Sequence, residues 1–246
     1  MRLITLNTWA RRLKEPFDAF LKGHMGDTDI FCFQEVFNNY DGSTGEYIKE
    51  EGANGNILQE ITDTLSEFDQ YFCPVAENVF GLAIFLKKGI EIIASGEVML
   101  YQSNAADDSG DHDRKMQWVH IKHGRKDVMI MNVHGHWNGH ADDTPNRLEQ
   151  SRIINEFMDQ SGMTPKILVG DFNLNPSTES IKLLEKTVIN LNAKHDVKST
   201  RTEHYTGDAT HTDYIFVSSE ILVEKFEVMP DVVSDHSPLS LQFDVF

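Results

Sequence analysis

The sequence is short of cysteine, of long apolar runs and of positive charge, and each shortage excludes a class of protein. Only Cys32 and Cys73 occur among the 246 residues, both beside aromatic neighbours, which predicts buried free thiols rather than a disulfide framework. No apolar run approaches the roughly 20 residues of a membrane-spanning helix, so no stable membrane association is expected. The first residues are strand-like and lack the pattern of a secretion signal, which favours a soluble cytoplasmic protein.

The charge balance is strongly acidic. There are 22 lysines and arginines against 39 aspartates and glutamates, a formal net charge of −17. Such a surface favours solubility and repels a phosphate backbone, which disfavours long duplex DNA as a partner. A phosphorylated substrate remains compatible, because a bound divalent cation reverses the local electrostatic field.

The spacing of apolar residues predicts an α/β chain that forms one domain over residues 1–246. Helices are predicted around Phe17–Leu21, Ile57–Phe68, Arg147–Gln160 and Ile181–Leu184. Strands are predicted at Leu3–Leu6, Asp29–Glu35, Val79–Leu86, Ile90–Ala94, Met116–Ile121, Asp127–Val133, Lys166–Val169, Tyr214–Val217, Ile221–Val228 and near the C-terminus. We expect Val79–Leu86 and Ile90–Ala94 to pair as a hairpin, and short turns elsewhere predict largely antiparallel or mixed sheets. The predicted loops at 38–56, 101–113 and 135–147 are long enough to carry function.

The stretch from Gly170 to Pro176 follows the predicted strand Lys166–Val169. Asp171 and Asn173 lie two positions apart, which places both side chains on the same side of an extended chain. One is an anion and a ligand for water or metal, and the other is an amide that donates and accepts hydrogen bonds. The same residues are also typical of an ordinary turn, so this stretch alone leaves structure and function equally open.

Polar residues recur where predicted strands end. They are Asn7, Glu35, His134, Asp171, Asn173, Asp213, Asp235 and His236. Each alone has a structural explanation, such as a cap, a turn or a hydrogen-bonded histidine. Because strand ends along one edge of a sheet converge on one crevice, the whole set predicts a single ligand-binding site.

These residue types suit the hydrolysis of a phosphoester. Mg²⁺ prefers oxygen ligands and stabilises charge on phosphoryl oxygens, which fits Glu35 with an Asn or Asp neighbour. A histidine beside a carboxylate has a raised pKa and can be held cationic against a phosphate. In-line attack by water needs a base on one side and such an electrophilic group on the other.

Six segments carry these residues, in an order that spans nearly the whole chain: Leu6–Trp9, Gln34–Val36, Asn132–His134, Gly170–Asn173, Thr212–Val217 and Ser234–Leu239. In these segments the sequence resembles the endonuclease/exonuclease/phosphatase superfamily, the deoxyribonuclease I-like metal-dependent phosphoesterases. The resemblance implies a four-layer α/β sandwich of two mixed, mostly antiparallel sheets, packed face to face with helices outside. It also implies a hydrolase of phosphoester bonds that uses Mg²⁺, with Mn²⁺ as a substitute.

The resemblance further implies a role for each matching residue. At the metal, Glu35 is the principal carboxylate, with Asn7 beside it and Asp235 assisting. Asp171 orients or deprotonates the attacking water, and Asn173 holds a phosphate oxygen. His134 and His236 contact the scissile phosphate or transfer protons, and Asp213 orients His236.

The sequence departs from the family pattern at two places. Trp9 stands where many nucleases of the family carry an aspartate, which weakens an analogy to apurinic endonucleases. Thr212, after His211, stands where the family usually has Ile or Leu before Asp213.

Two further residues are candidates for substrate binding. Arg114 precedes a strand and could reach the phosphate or pair with the acidic 107–113 loop, and His136 lies in a loop expected over the pocket.

Two other interpretations stay open at this stage. The alternating His134, His136 and His140 suggest a zinc hydrolase, although Asn138 and Gly139 stand where a metallo-β-lactamase motif needs Asp and His. A domain of the same fold could also bind phosphate ligands without catalysis. Because the predicted loops contain few basic residues, we expect a small or weakly charged phosphoester as the substrate of a phosphodiesterase, phosphatase or nuclease. The protein is expected to be a monomer.

Overall fold

The structure is a computed structural model that describes residues 1–40, 54–76, 79–103, 112–162 and 164–246. The first sheet contains β1 (Arg2–Asn7), β2 (Ile30–Phe37), β3 (Phe68–Ala76), β4 (Phe80–Lys87), β11 (Ile221–Val228) and β12 (Leu239–Val245). The second contains β5 (Ile92–Tyr101), β6 (Arg114–His123), β7 (Lys126–His134), β8 (Lys166–Asp171), β9 (Ile189–Asn190) and β10 (Asp213–Val217). Their strand orders are β11-β12-β1-β2-β4-β3 and β5-β6-β7-β8-β10-β9.

Each sheet is mixed, with a single parallel pair among the described strands. In the first sheet β1 runs parallel to β2, and in the second β7 runs parallel to β8. All other paired neighbours are antiparallel. The predicted mixed, mostly antiparallel sheets are therefore confirmed.

The two-residue repeat of the strands gives each sheet two buried faces. In β2, Ile30 and Cys32 belong to the cluster between the sheets, while Phe31 and Phe33 belong to a cluster on the outer face. In β8, Ile167 belongs to the inner cluster and Leu168 to the outer cluster of the second sheet. Because both faces of the central strands are buried, their sequences are continuous apolar runs rather than alternating ones.

Helices cover both outer faces and complete four layers. The outer face of the first sheet packs against α1 (Lys14–His24) and α2 (Ile57–Thr64), and that of the second packs against α3 (Pro145–Gln160) and α4 (Glu179–Leu184). A short α5 (Leu191–Lys194) follows β9. Thr144 caps α3 by accepting a hydrogen bond from the Arg147 amide, and Pro145 occupies the first turn, as expected for a helix start. The predicted four-layer sandwich is confirmed.

Two local predictions were wrong. β4 pairs with β2 and β3, whereas β5 pairs with β6 in the other sheet, so the predicted hairpin of Val79–Leu86 with Ile90–Ala94 does not form. The turn after β4 favours a hairpin locally, but both edges of this buried strand are already occupied. Helix α2 ends at Thr64, and Phe68 starts β3, a strand that the sequence pattern did not predict. Phe68 packs in the same apolar cluster as α2, which explains its helical spacing.

None of the described helices is long and apolar enough to cross a membrane. The predicted loops at 38–56 and 101–113 fall largely on residues 41–53 and 104–111, outside the described part of the chain. The third predicted loop is described and contributes to the site.

Buried polar contacts join the two sheets near the strand ends. The Gln34 side chain in β2 donates to Asn132 Oδ1 in β7 at 2.6 Å, and Asn132 Nδ2 donates to the Phe33 carbonyl at 3.1 Å. Gln34 also donates to Thr5 Oγ1 in β1 at 3.1 Å. Because buried polar groups require defined partners, these contacts fix how the strand ends of one sheet face those of the other.

Candidate active site

Strand ends from both sheets meet at one edge of the sandwich. At the end of β8, Asp171 is the register partner of His134 in β7 and of Asp213 at the start of β10. At the end of β1, Asn7 is paired with Gln34, which directly precedes Glu35 in β2. Residues far apart in sequence therefore become neighbours along this edge.

The backbone is strained at two of the residues that the sequence predicted for the site. Glu35 and Asn173 have left-handed conformations, with φ of 56° and 55°. Such a backbone costs a non-glycine residue about 1–3 kcal/mol and concentrates at functional sites. At Glu35 it accompanies a bulge, because the register between β2 and β4 shifts between Phe33 and Val36. Bulges re-aim side chains, and the Glu35 side chain lines the cleft described below.

Asn7 links the two sheets at the centre of the site. Its Nδ2 lies 3.1 Å from Glu35 Oε1 and 3.1 Å from Asp171 Oδ2. Its Oδ1 accepts the backbone N–H of Trp9 at 3.0 Å, which determines which end of the amide faces the carboxylates. Asn7 thus holds two carboxylates at a fixed separation through its amide nitrogen.

His236 and Asp213 form a buried pair. His236 Nδ1 lies 2.9 Å from both carboxylate oxygens of Asp213, and Thr200 Oγ1 donates to the same carboxylate at 2.7 Å. Burial lowers the pKa of His236, but the charges of Asp213 and Asp171 outweigh it and raise the pKa to about 9. At neutral pH, His236 is therefore an imidazolium, and its second ring nitrogen, Nε2, lies against the Arg201 guanidinium.

This pair predicts a loss of stability at alkaline pH in the metal-free protein. His236 has a folded-state pKa of about 9 and an unfolded-state value near 6.5, so its proton stabilises the fold fully below about pH 6.5. That contribution, on the order of 3 kcal/mol, is lost as the pH rises through about 9. Urea unfolding in EDTA at about pH 6, 8 and 10 measures it, with His236→Gln as the reference. An equal pH dependence in both proteins contradicts the assignment.

The pKa values of Asp171 and His134 are lowered, whereas that of His236 is raised. Burial raises the pKa of Asp171, but His236, Arg201 and His134 lower it to about 2. Burial and the charge of Arg114 hold the pKa of His134 well below its usual range. At neutral pH the site therefore contains an ionised Asp171 and a neutral His134, whose Nε2 is 3.9 Å from Glu35 Oε1.

The donor set around Glu35 fits a divalent cation. Burial and then the charge of Asp235 raise the pKa of Glu35, so carboxylates crowd one another at this position. The Glu35 side chain is 27% exposed and so accessible from the cleft. Carboxylate oxygens in this arrangement are the ligands that Mg²⁺ prefers. Asn7 presents its amide nitrogen to Glu35, so in this arrangement it positions the carboxylate.

A second group also satisfies a simple distance criterion for metal ligands. Asp171, Asp213 and His236 each offer one ligand atom within 4.8 Å of the others. His236 Nδ1 is already engaged by Asp213 at 2.9 Å, so we interpret this group as a hydrogen-bonded relay rather than a cation site.

The converging side chains line a cleft of about 330 Å³. Seven of the predicted site residues line it: Glu35, Arg114, His134, Asp171, Asn173, Asp235 and His236. Its aromatic walls are Trp9, Phe37, Phe80, Trp137 and Tyr205. Asn7 and Asp213 do not line the cleft but contact residues that do. Buried and strongly perturbed ionisable groups around one cleft are typical of active sites.

Two of the histidines suggested for zinc do not reach this cleft. His136 is buried, its ring packs against Tyr101 with centroids 4.4 Å apart, and its backbone N–H is bound by Gln150. His140 is exposed. Only His134 of the three lines the cleft, so the structure does not assemble a zinc site from them. His211, another histidine near a motif, is buried and stacks on Tyr214.

Arg147, which the sequence pattern assigned only to a helix, organises the loop after β7. The fully buried guanidinium donates from Nε to the His136 carbonyl at 3.0 Å. Its two terminal nitrogens each donate at 2.5 Å, to the carbonyls of Asp142 and His140. These charge-assisted bonds hold the loop that contributes Trp137 to the cleft wall.

Sequence reasoning also missed Arg201 and Tyr205, which line the cleft. They lie between the predicted helix at Ile181–Leu184 and the strand at Tyr214, in a segment without helical or strand periodicity. Trp9 was noted only as a departure, yet its ring lies under the Arg12 guanidinium at 4.6 Å. No local pattern distinguishes such residues from ordinary surface side chains.

A comparison with protein families decides the relationship. The model of the Endonuclease/Exonuclease/phosphatase family matches residues 4–236. The chain belongs to this family. The resemblance carried by the six sequence segments is thereby confirmed. Proteins of this family act on phosphoesters. No curated protein is significantly similar to the chain in sequence.

Members of the endonuclease/exonuclease/phosphatase family also appear among similar solved structures. A mannosyl-6-phosphatase from Bacteroides thetaiotaomicron is 18% identical, with a TM-score of 0.77 over 99% of each chain. The human nocturnin catalytic domain with bound sulfate is 19% identical, with a TM-score of 0.71 over 100% of this chain and 94% of that one. A family protein from Leptotrichia buccalis is 18% identical, with a TM-score of 0.71 over 99% of each chain. At such identities these likenesses establish the fold alone.

Proposed function

We propose that this protein is a divalent-metal-dependent hydrolase of phosphoester bonds, with Mg²⁺ as its ion and Mn²⁺ as a substitute. The observation that carries the proposal is the convergence of Glu35, Asp171 and the His236–Asp213 pair in one cleft. A non-catalytic binding domain has no need for a buried imidazolium beside a buried, ionised carboxylate. Membership of the family supports the reaction class.

Different residues serve different roles in an in-line attack by water on phosphorus. Asp171, ionised at neutral pH, accepts a hydrogen bond from the water and orients it toward phosphorus. The His236 imidazolium places a positive charge against the phosphoryl oxygens as negative charge develops on them. Asn173 Nδ2 donates one hydrogen to the Gly135 carbonyl at 3.0 Å, which aims its second hydrogen for a phosphoryl oxygen.

The remaining residues position these groups. Asp213 fixes the His236 ring, and Asn7 fixes the separation of Glu35 from Asp171. A Mg²⁺ ion held by Glu35 with Asp235 nearby would polarise the phosphoryl group and stabilise charge on the leaving oxygen. The neutral His134 beside Glu35 can donate a hydrogen bond to the substrate without adding repulsion toward the ion.

The size and charge of the protein favour a small substrate. A cleft of about 330 Å³ lies at the lower end for small-molecule sites, and a net charge of −17 opposes a long polyanion. We propose a small phosphoester, acted on by a monomer in the cytoplasm. The likeness to a mannosyl-6-phosphatase makes phosphorylated sugars the first natural compounds to assay.

Hydrolysis of p-nitrophenyl phosphate and of bis-p-nitrophenyl phosphate tests the reaction class. After treatment with EDTA we expect no activity, and we expect recovery with Mg²⁺ or Mn²⁺ because the ion would polarise the phosphoryl group. A zinc-selective chelator should leave the Mg²⁺-supported rate unchanged. The proposal fails if neither substrate, nor any phosphorylated sugar or nucleotide, is hydrolysed in a metal-dependent way.

A further inference from the structure

The segment around Arg201 is fastened to the loop that carries His236. The backbones of Arg201 and His236 form an isolated antiparallel bridge. On either side, the Thr202 amide donates to the Asp235 carbonyl at 3.0 Å, and the Ser237 amide donates to the Thr200 carbonyl at 2.8 Å. Arg201 is therefore held by main-chain bonds at a fixed position relative to the His236–Asp213 pair.

Side-chain contacts then aim the guanidinium at the cleft. It stacks over the Tyr205 ring, with its central carbon 3.9 Å from the ring centroid. Nη1 lies 3.4 Å from Asp235 Oδ2 and is in direct contact with His236 Nε2. The side chain is only 7% exposed, although it lines the cleft. A largely buried arginine that is held by Tyr205 and Asp235 is pre-organised to bind a ligand, and its repulsion with the adjacent His236 imidazolium favours an anion at this position.

The hydrogen-bonding capacity of Arg201 is not used up by these contacts. A guanidinium is permanently charged and has five N–H donors. The contacts to Asp235 and His236 both use Nη1, and Nε is buried with no hydrogen-bond partner among the described residues. A buried charged donor without an acceptor is costly, so an anionic ligand at this end of the cleft would be stabilised.

We infer that Arg201 binds the phosphoryl group that is transferred, beside His236, and that it selects a terminal phosphate monoester over a phosphodiester. This inference rests on the proposed phosphoesterase function and names its substrate class. His236, Arg201 and Asn173 supply donors from three separate segments, besides a cation at Glu35. A diester offers two non-bridging oxygens to such a set, whereas a terminal phosphate offers three and carries one more negative charge.

Steady-state kinetics of Arg201→Met and Arg201→Lys on p-nitrophenyl phosphate and bis-p-nitrophenyl phosphate test the inference. We expect the wild type to prefer the monoester, and Arg201→Met to lower kcat/KM for it by about 10²–10³-fold. The loss on the diester should be less than about tenfold. Arg201→Lys should restore only part of the monoester rate, because lysine keeps the positive charge but lacks the paired N–H donors of the guanidinium. Arg152→Met, which removes a 57% exposed arginine paired with Glu149, is the matched control and should leave both rates unchanged.

Inhibition by inorganic phosphate provides a readout that a misfolded variant cannot imitate. Arg201→Lys, which retains the partner of Asp235, should bind phosphate at least about tenfold more weakly than the wild type while its thermal unfolding is unchanged. The inference is overturned if Arg201→Met keeps the monoester rate within about threefold, or if both substrates lose rate equally. If metal-dependent hydrolysis persists in that case and still requires His236, the proposed function stands and only the role of Arg201 falls.

Discussion

Replacement of His236 by glutamine should lower kcat/KM for metal-dependent phosphoester hydrolysis by about 10²–10⁴-fold. Glutamine keeps a hydrogen-bond donor of similar reach but cannot carry the charge that Asp213 and Asp171 stabilise on the imidazole. The loss should therefore appear mainly in kcat, because the missing charge acts most strongly on the developing negative charge of the transition state. Initial rates with Mg²⁺, over a range of p-nitrophenyl phosphate concentrations, separate kcat from KM.

Two further variants sharpen this experiment. His24→Gln is the matched control, since His24 is partly exposed, lies outside the cleft and has only Asp231 as an ionic neighbour among the described residues, at 3.7 Å. It should retain the wild-type rate. Asp213→Asn should reduce kcat while leaving the ring of His236 in place, because the amide cannot stabilise the imidazolium. Retention of more than about a tenth of the activity in His236→Gln would contradict the assigned role.

Replacement of Gly170 by alanine should lower the free energy of unfolding by at least about 3 kcal/mol. Gly170 has φ of 128°, a conformation that L side chains rarely adopt, and a Cβ there would overlap the carbonyl oxygen of Val133 in the paired strand β7. Backbone atoms of a central strand cannot move aside cheaply. The energetic cost of the strained backbone adds to that of the steric overlap, and urea unfolding in EDTA measures their combined effect on the free energy of unfolding.

Gly124→Ala is the matched control for that substitution. Gly124 also has a positive φ, 63°, but lies in the turn between β6 and β7, where an added methyl group would point into open space. Only the left-handed backbone is unfavourable there, so we expect a loss of about 1 kcal/mol. A difference of less than about 1 kcal/mol between the two variants would show that β7 and β8 are less tightly packed than the structure indicates.

The sequence predicted which residues lie close together at the strand ends better than it predicted strand pairing. Asp171, Asp213 and His134 were grouped because each ends or begins a buried strand, and the sheet places them in register. That inference needed no knowledge of which strands are neighbours. The pairing of strands could not be predicted in this way. The turn after β4 favours a hairpin of β4 with β5, yet β5 pairs in the other sheet. Non-local competition for strand edges decides such pairings, and local turn chemistry does not record it.

The positions of the Arg201 and His136 side chains could likewise not be predicted from the local sequence. His136 lies two residues after His134 and was expected over the pocket, but its ring packs against Tyr101 instead. Arg201 belongs to no recognisable motif, yet an isolated backbone bridge brings it to His236. Whether a polar side chain faces the cleft depends on loop paths, which contacts distant in sequence determine.

The four layers were implied by the resemblance of six sequence segments to the family. The amino-acid sequence by itself determined the α/β class and the chemical types at the strand ends. These follow from short-range periodicity and from residues whose chemistry is specific, such as Glu35, Asp171 and His236. The tertiary structure alone decided the charge states and the shape of the cleft. The high pKa of His236 and the low pKa of Asp171 arise from charges brought within a few ångströms by separate segments of the chain, and electrostatic energy depends on those distances rather than on order along the chain.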